Sequence, residues 1–206
     1  MYYILHYENL SEVIRDGGLL SDKAVRSKSI GHTNIGMSRI KEARMLKSVP
    51  CHPGTVVGDY VPFYLCPRSV MLYVIHCANH PGLTYRGGQG PIVHLEFDAA
   101  AVVNWARDRG HPWAVSYGNA AAAIARFATG IGCMDGMNWE AIGAQWFNKP
   151  DVQEAKQSEV LAFGSVPWHL VERIGVVNQA MRQRIVEVLG SATHRPAIAI
   201  RPDWYF

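Results

Sequence analysis

Few side chains in this sequence stand in arrangements that do chemistry. His76 and His80 in "HCANH" lie four apart, so on a helix they share a face at metal-ligand spacing. No HExxH glutamate or third ligand accompanies them, and two histidines at a helix end explain the pattern as well. Cys51, beside His52, and Cys66 are candidate thiol nucleophiles, but a reactive thiolate needs a base and an electropositive pocket, so inert cysteines are the plainer reading. Gly87, Gly88 and Gly90 form neither a P-loop nor GxGxxG and read as a tight turn. Glu159 is more informative: it heads the apolar run "EVLAF" directly after the polar run "DVQEAKQS". A carboxylate at a strand mouth can be held rigidly at a cleft edge, as acid–base or cation-stabilising chemistry requires. A solvated strand-end glutamate fits the same pattern. In "GDYVPFYLCPRSVMLYVI", Pro67–Arg68–Ser69 interrupts an aromatic, apolar segment. Either a turn crosses the surface there, or Arg68 is held on a buried scaffold to meet an anion.

The elements that must position these groups are bounded by composition. At 206 residues the chain is long enough for one well-buried core and short for two, so one domain over 1–206 is expected. The formal net charge is +3, yet residues 21–50 carry seven cations against two acids, a net +5. Such a field favours a polyanion or a pyrophosphate; a solvated helix face is the alternative. The start "MYYILHYENL" has no basic n-region or cleavage site, and no eighteen-residue apolar run exists, so neither a signal peptide nor a membrane span is expected. Four cysteines without a CxxC pair or regular disulfide spacing suit a reducing cytoplasm.

Along the chain, Tyr2 to His6 reads as a strand and "NLSEVIRDGG" as a helix closed by glycines. Residues 21–34 read as a basic loop, and Met37 to Leu46 as a short helix. "YVPFYL" has strand composition, with Pro62 suggesting an edge or a bulge. Ser69 is an N-cap candidate for "VMLYVIHCA", and Asp98 for "AAAVVNWAR". Strands are expected at Ile92 to Phe97, Trp113 to Ser116, Glu159 to Phe163, "IGVVN" and "PAIAI". Helices are expected at "NAAAAIARFA", "NWEAIGAQWF", "PWHLVERI" and "NQAMRQRIVEVLG". The irregular order of strands and short helices predicts an α+β fold with a mixed or antiparallel sheet.

Several of these segments together resemble one family. "YILHYENLSEVIRDGGLL" is similar to its opening, and "GDYVPFYLCPRSVMLYVI" to the signature D-[YH]-V-P-F-Y-…-S-P-M-x-Y of the DarT family of bacterial toxins that ADP-ribosylate DNA bases. "GGQGPIVHL", "KQSEVLAF" and "RPDWYF" match further family segments, so the resemblance spans essentially the whole chain.

The resemblance implies an ADP-ribosyltransferase-like split α+β core that clamps NAD across a cleft, with no metal. It implies transfer of ADP-ribose from NAD to a base of single-stranded DNA, usually thymine, and a macrodomain antitoxin as partner. Transfer to guanine, RNA or protein, NAD hydrolysis, and an inactive single-strand-binding module are the alternatives. By the same resemblance, Tyr3, Ile4, Leu5 and Leu20 contact NAD, and Arg44 and Glu159 are catalytic, with Arg44 also on the nucleotide. Asn119 falls on the substrate side, and the loop from Trp139 to Ser158 presents the strand. With that reading, Arg68 is expected to project toward the DNA, with Tyr64 and Met71 nearby for stacking or packing. Many relatives have His at the positions of Tyr3 and Asn119; the second departure bears on how the target base is held.

Overall fold

Tyr2–His6 forms strand β1, as expected, and helix α1 (Leu10–Arg15) follows, ending at Gly17 with φ +78°. This is a computed structural model that describes residues 1–28 and 31–206. Strand β2 (Gly18–Leu20) then returns toward the body of the fold. A Cβ at Gly18 would collide with the Val166 carbonyl, so only glycine permits the close pairing there.

Among the described residues the remaining strands are β3 (Tyr60–Tyr64), β4 (Ile92–Phe97), β5 (Trp113–Ser116), β6 (Phe127–Ala128), β7 (Glu159–Phe163), β8 (Ser165–Pro167), β9 (Val171–Val176) and β10 (Ala197–Ile200). The helices are α2 (Asp22–Ser27), α3 (Ser38–Leu46), α4 (Val70–Cys77), α5 (Ala99–Asp108), α6 (Trp139–Gly143), α7 (Pro150–Lys156) and α8 (Gln179–Leu189). Eight strands make one sheet in the order β10-β9-β4-β1-β3-β7-β5-β6, while β2 and β8 pair separately. Its pairs are antiparallel except β9–β10, so the fold is the expected α+β class. Alternation along the strands separates two packed layers. Leu5, Phe63, Leu95 and Phe97 face a core closed by Val102, Met181 and Ile185. Ile4 and Ile92 face the other side, against Leu72 and Ile75 of α4 and against Trp204 and Tyr205.

The seam between β1 and β3 departs from this regularity. The Gly164 amide donates to the Asp59 carbonyl at 2.8 Å, which fixes the alternation of β3 against β7. Val61 and Phe63 therefore exchange backbone bonds with β7, whereas Tyr60, Pro62 and Tyr64 turn theirs toward β1. In β1, the Tyr7 amide bonds Pro91 at 3.0 Å and the Phe97 amide bonds Met1 at 2.9 Å. Tyr3 and Leu5 thus serve β4, while Ile4 and His6 turn their peptide groups toward β3. Continuing the single β1–β3 pair, Tyr2↔Tyr64, by two residues would set Ile4 opposite Pro62. Proline has no N–H to give, so the ladder ends and the strands diverge. Pro62 accordingly sits in a central strand, not at an edge or bulge; its missing donor falls on the side where no partner is needed.

Other segments depart from sequence expectation for local reasons. Within the expected loop 21–34, Ser21 accepts from the Ala24 amide at 3.3 Å and starts α2; residues 29 and 30 of that expectation lie outside the described residues. "NAAAAIARFA" forms turns and the edge strand β6, because Asn119 accepts from the Ala121 amide at 2.9 Å and pairing with β5 outweighs alanine's helix propensity. "PWHLVERI" contributes only a 3-10 turn, Trp168–Leu170, before β9. The Ser69 and Asp98 caps are both present, accepting from the amides of Leu72 at 3.2 Å and Ala101 at 2.7 Å.

Candidate active site

A cleft opens where β1 and β3 part. Tyr3, Ile4 and Leu5 line it from one strand and Pro62 and Tyr64 from the other. Leu20, Arg44, Met71, Asn119 and Glu159 complete the set of expected residues that it brings together. A second, adjoining hollow shares Tyr3, Leu5, Leu20, Asp22 and Lys41 and runs on past Glu12 and Asp16. The two make an elongated site, one end at the buried ion pair and the other beside α1 and β2.

Helix α3 buries one residue, and it is an arginine. The Arg44 guanidinium meets the Glu159 carboxylate two-pronged, at 3.1 and 3.0 Å, with each residue only 6 % exposed. Burial works against the charge on Arg44, but Glu159, with help from Asp22, holds its pKa above the ordinary value. Glu159 opens β7 inside the sheet, with Tyr64 on β3 and Ser116 on β5 on either side, and its backbone bonding is toward β5. It is therefore not a solvated strand end. A buried pair of this geometry roughly balances desolvation against attraction, so stability alone does not explain its placement. Tyr64 adjoins it; burial and then the Glu159 charge push that phenol well above the usual tyrosine range. Burial also raises Tyr3, so both phenols resist ionisation even in alkaline solution.

The opposite wall is an amide network. Asn119 donates to Gln157 Oε1 at 3.2 Å, and Ser158 Oγ accepts from the Gly118 amide at 3.0 Å. Gly118 adopts φ +105°, which lets the chain turn from β5 into the cleft wall. Gln157, at the C-terminal end of α7 and within the loop 139–158 that the resemblance set beside the strand, also lines the cleft, although no motif singles it out. Asp22, Lys41 and the segment 32–37 also line the cleft unannounced, since no motif marks them.

Arg68 stands apart from the cleft lining. The His94 Nε2–H donates to the Pro67 carbonyl at 3.0 Å, Ser69 caps α4, and the Arg68 guanidinium lies 4.3 Å from the centre of the Phe206 ring. Much of the basic field is compensated locally: Lys23 pairs with Asp59 at 2.8 Å, Lys28 with Asp16 at 3.2 Å and Lys41 with Asp22 at 3.4 Å. His76 contacts Gln89, and no group of three or more metal-binding side chains occurs among the described residues. The four cysteines are free, and no helix among the described residues is long and apolar enough to cross a membrane.

The family model described as "ssDNA thymidine ADP-ribosyltransferase, DarT" matches residues 2–206. A DNA ADP-ribosyl transferase of Thermus sp. (strain 2.9) is 36% identical over 209 residues, covering 100% of this chain and 95% of the relative. The structure of Thermus sp. 2.9 DarT in complex with ADP-ribosylated ssDNA superposes with a TM-score of 0.89 at 35% identity, covering 100% of this chain and 95% of that one. The same protein in complex with NAD+ gives 0.83 at 34% identity, covering 100% and 96%.

Proposed function

The chain belongs to the DarT family, and from that premise we propose that its cleft transfers ADP-ribose from NAD to thymine in single-stranded DNA, releasing nicotinamide. The observation that carries this reading is the buried Arg44–Glu159 pair set beside a seam whose backbone groups are left unpaired. On β1 the Ile4 N–H and C=O point into that seam, and a carboxamide offers one acceptor and one donor to match them. Tyr3, Leu5 and Leu20 give the nucleotide apolar contact, and replacing a family His by Tyr3 leaves the backbone pairing untouched.

As the glycosidic bond breaks, its electron pair leaves with nicotinamide and positive charge develops on the ribose. Glu159 stabilises that charge in a cleft poor in water. A nitrogen of the target base, giving up its proton to solvent before or as the bond forms, then attacks the ribose carbon. Arg44 holds its own proton too strongly to serve as the base, so it acts as a clamp on the pyrophosphate or on the anion of the attacking base. Asn119 and Gln157 present fixed amide groups where the base enters, with Met71 and Tyr64 packing against it and Arg68 reaching the strand.

We read the 206 residues as one transferase domain acting in the bacterial cytoplasm, as the toxin of a toxin–antitoxin system with a macrodomain antitoxin. Family membership supports that role. The test is labelled NAD with mixed-sequence single-stranded oligonucleotides, each pool lacking one base, followed by mass analysis. Label should vanish only from the pool without thymine. Loss from the guanine-free pool, or label on RNA or protein alone, overturns the reading of the target.

A further inference from the structure

Three rings from distant parts of the chain meet at the surface beside Arg68. Tyr73 of α4 lies 5.2 Å from Phe147 and 5.1 Å from Phe206, and Phe147 lies 5.9 Å from Phe206, centre to centre. Core aromatics are covered, but Tyr73 is 42% exposed, and Trp146, next to Phe147 in the chain, is 84% exposed. The rings are also held in place. Lys156 donates to the carbonyls of Ile142 and Ala144 at 2.9 and 2.8 Å beneath the Phe147 segment, and Gln89 brackets the Phe206 backbone from both sides. Arg68 covers Phe206, and none of the ion pairs among the described residues engages it. The patch adjoins the cleft through α4, whose Val70, Met71 and Val74 line the cleft while Tyr73 and His76 face the rings.

We propose that Tyr73, Phe147 and Phe206 form a second nucleobase subsite, stacking an unpaired base that flanks the target while Arg68 meets its phosphate. This rests on the reading of the cleft as a DNA ADP-ribosyltransferase site. An unpaired base has two π-faces for such rings, and an uncompensated guanidinium complements the strand's charge. Fixed rings also lose little freedom on binding.

The experiment scans an abasic position along a single-stranded substrate and measures KM and kcat for wild type, Tyr73→Ala and Tyr73→Phe. In wild type, one flanking abasic position should raise the KM for DNA by about tenfold, the usual scale of a lost stack. Tyr73→Ala should raise the KM of the intact strand similarly and become blind to that abasic position, with kcat and the KM for NAD held. Tyr73→Phe should behave as wild type. If Tyr73→Ala keeps the wild-type abasic profile, the subsite is wrong and the rings serve a protein partner instead. If wild type labels no single-stranded DNA at all, the reading of the cleft falls and takes the subsite with it.

Discussion

The two flanks of β3 are built from the same strand and serve opposite ends. Toward β7, five residue pairs from Tyr60↔Phe163 to Tyr64↔Glu159 form a continuous ladder over buried Val61, Phe63, Val160 and Leu161. Toward β1 there is one pair, Tyr2↔Tyr64, and beyond it the strands part around the cleft. The closed flank fixes where Glu159 stands; the open flank leaves backbone groups without a strand partner. A single imino acid, Pro62, separates these outcomes, because its missing N–H falls on the open side.

The largest effect should come from the charge where the flanks meet. Glu159→Gln should lower ADP-ribose transfer by a hundredfold or more, the scale expected for losing one preorganised electrostatic group. It also leaves Arg44 buried without its counter-charge, so Tm should fall while the protein stays folded at assay temperature. Transfer near the wild-type rate would remove Glu159 from the chemistry.

On the closed flank, Leu161→Ala deletes a fully buried side chain and should cost about 3 kcal/mol in denaturant unfolding. At a temperature where both proteins are folded, the KM for NAD should match wild type. A raised KM would mean that the ladder reports on the cleft and that the flanks are not separable.

On the open flank, Pro62→Val restores an amide facing Ile4 and invites β1 and β3 to pair further. One added hydrogen bond contributes about 1 kcal/mol, so Tm should hold or rise while NAD binds roughly fivefold to tenfold more weakly by calorimetry. Unchanged NAD affinity would show that the proline does not keep the seam open.

The smallest effect should come from the basic segment. Because Lys23 and Lys28 already pair with Asp59 and Asp16, changing both to Met should alter single-strand affinity by less than about threefold. Its salt slope should stay the same. A slope reduced by about one for each lysine would place these cations on the strand.

Much of the closed flank was legible in the sequence. "WAVS" and "EVLAF" are β5 and β7 to the residue, because apolar runs bounded by polar turns specify buried strands. The Ser69 and Asp98 caps were legible for a similar reason, being local hydrogen bonds between residues three apart. The open flank was not. Pro62 suggested an edge because composition cannot say which side of a central strand lacks a partner. Arg44 and Glu159 are 115 residues apart, and no spacing rule joins them; only resemblance to a family did. The alanines after Asn119 favour helix intrinsically, and edge pairing to β5 overrode them.

Lys156 ties these two modes of construction together. It is 1% exposed, and its ammonium rests on the carbonyls of Ile142 and Ala144 with no carboxylate partner among the ion pairs of the described residues. The link between α6 and α7 cannot lift away without uncovering that cation, three residues before Glu159. Local opening of the link and loosening of the lead-in to β7 are then one cooperative event. In hydrogen-exchange terms, amides on both sides of the clamp should share a single opening free energy, and exchange rates that differ between the link and the start of β7 would show that the two open separately.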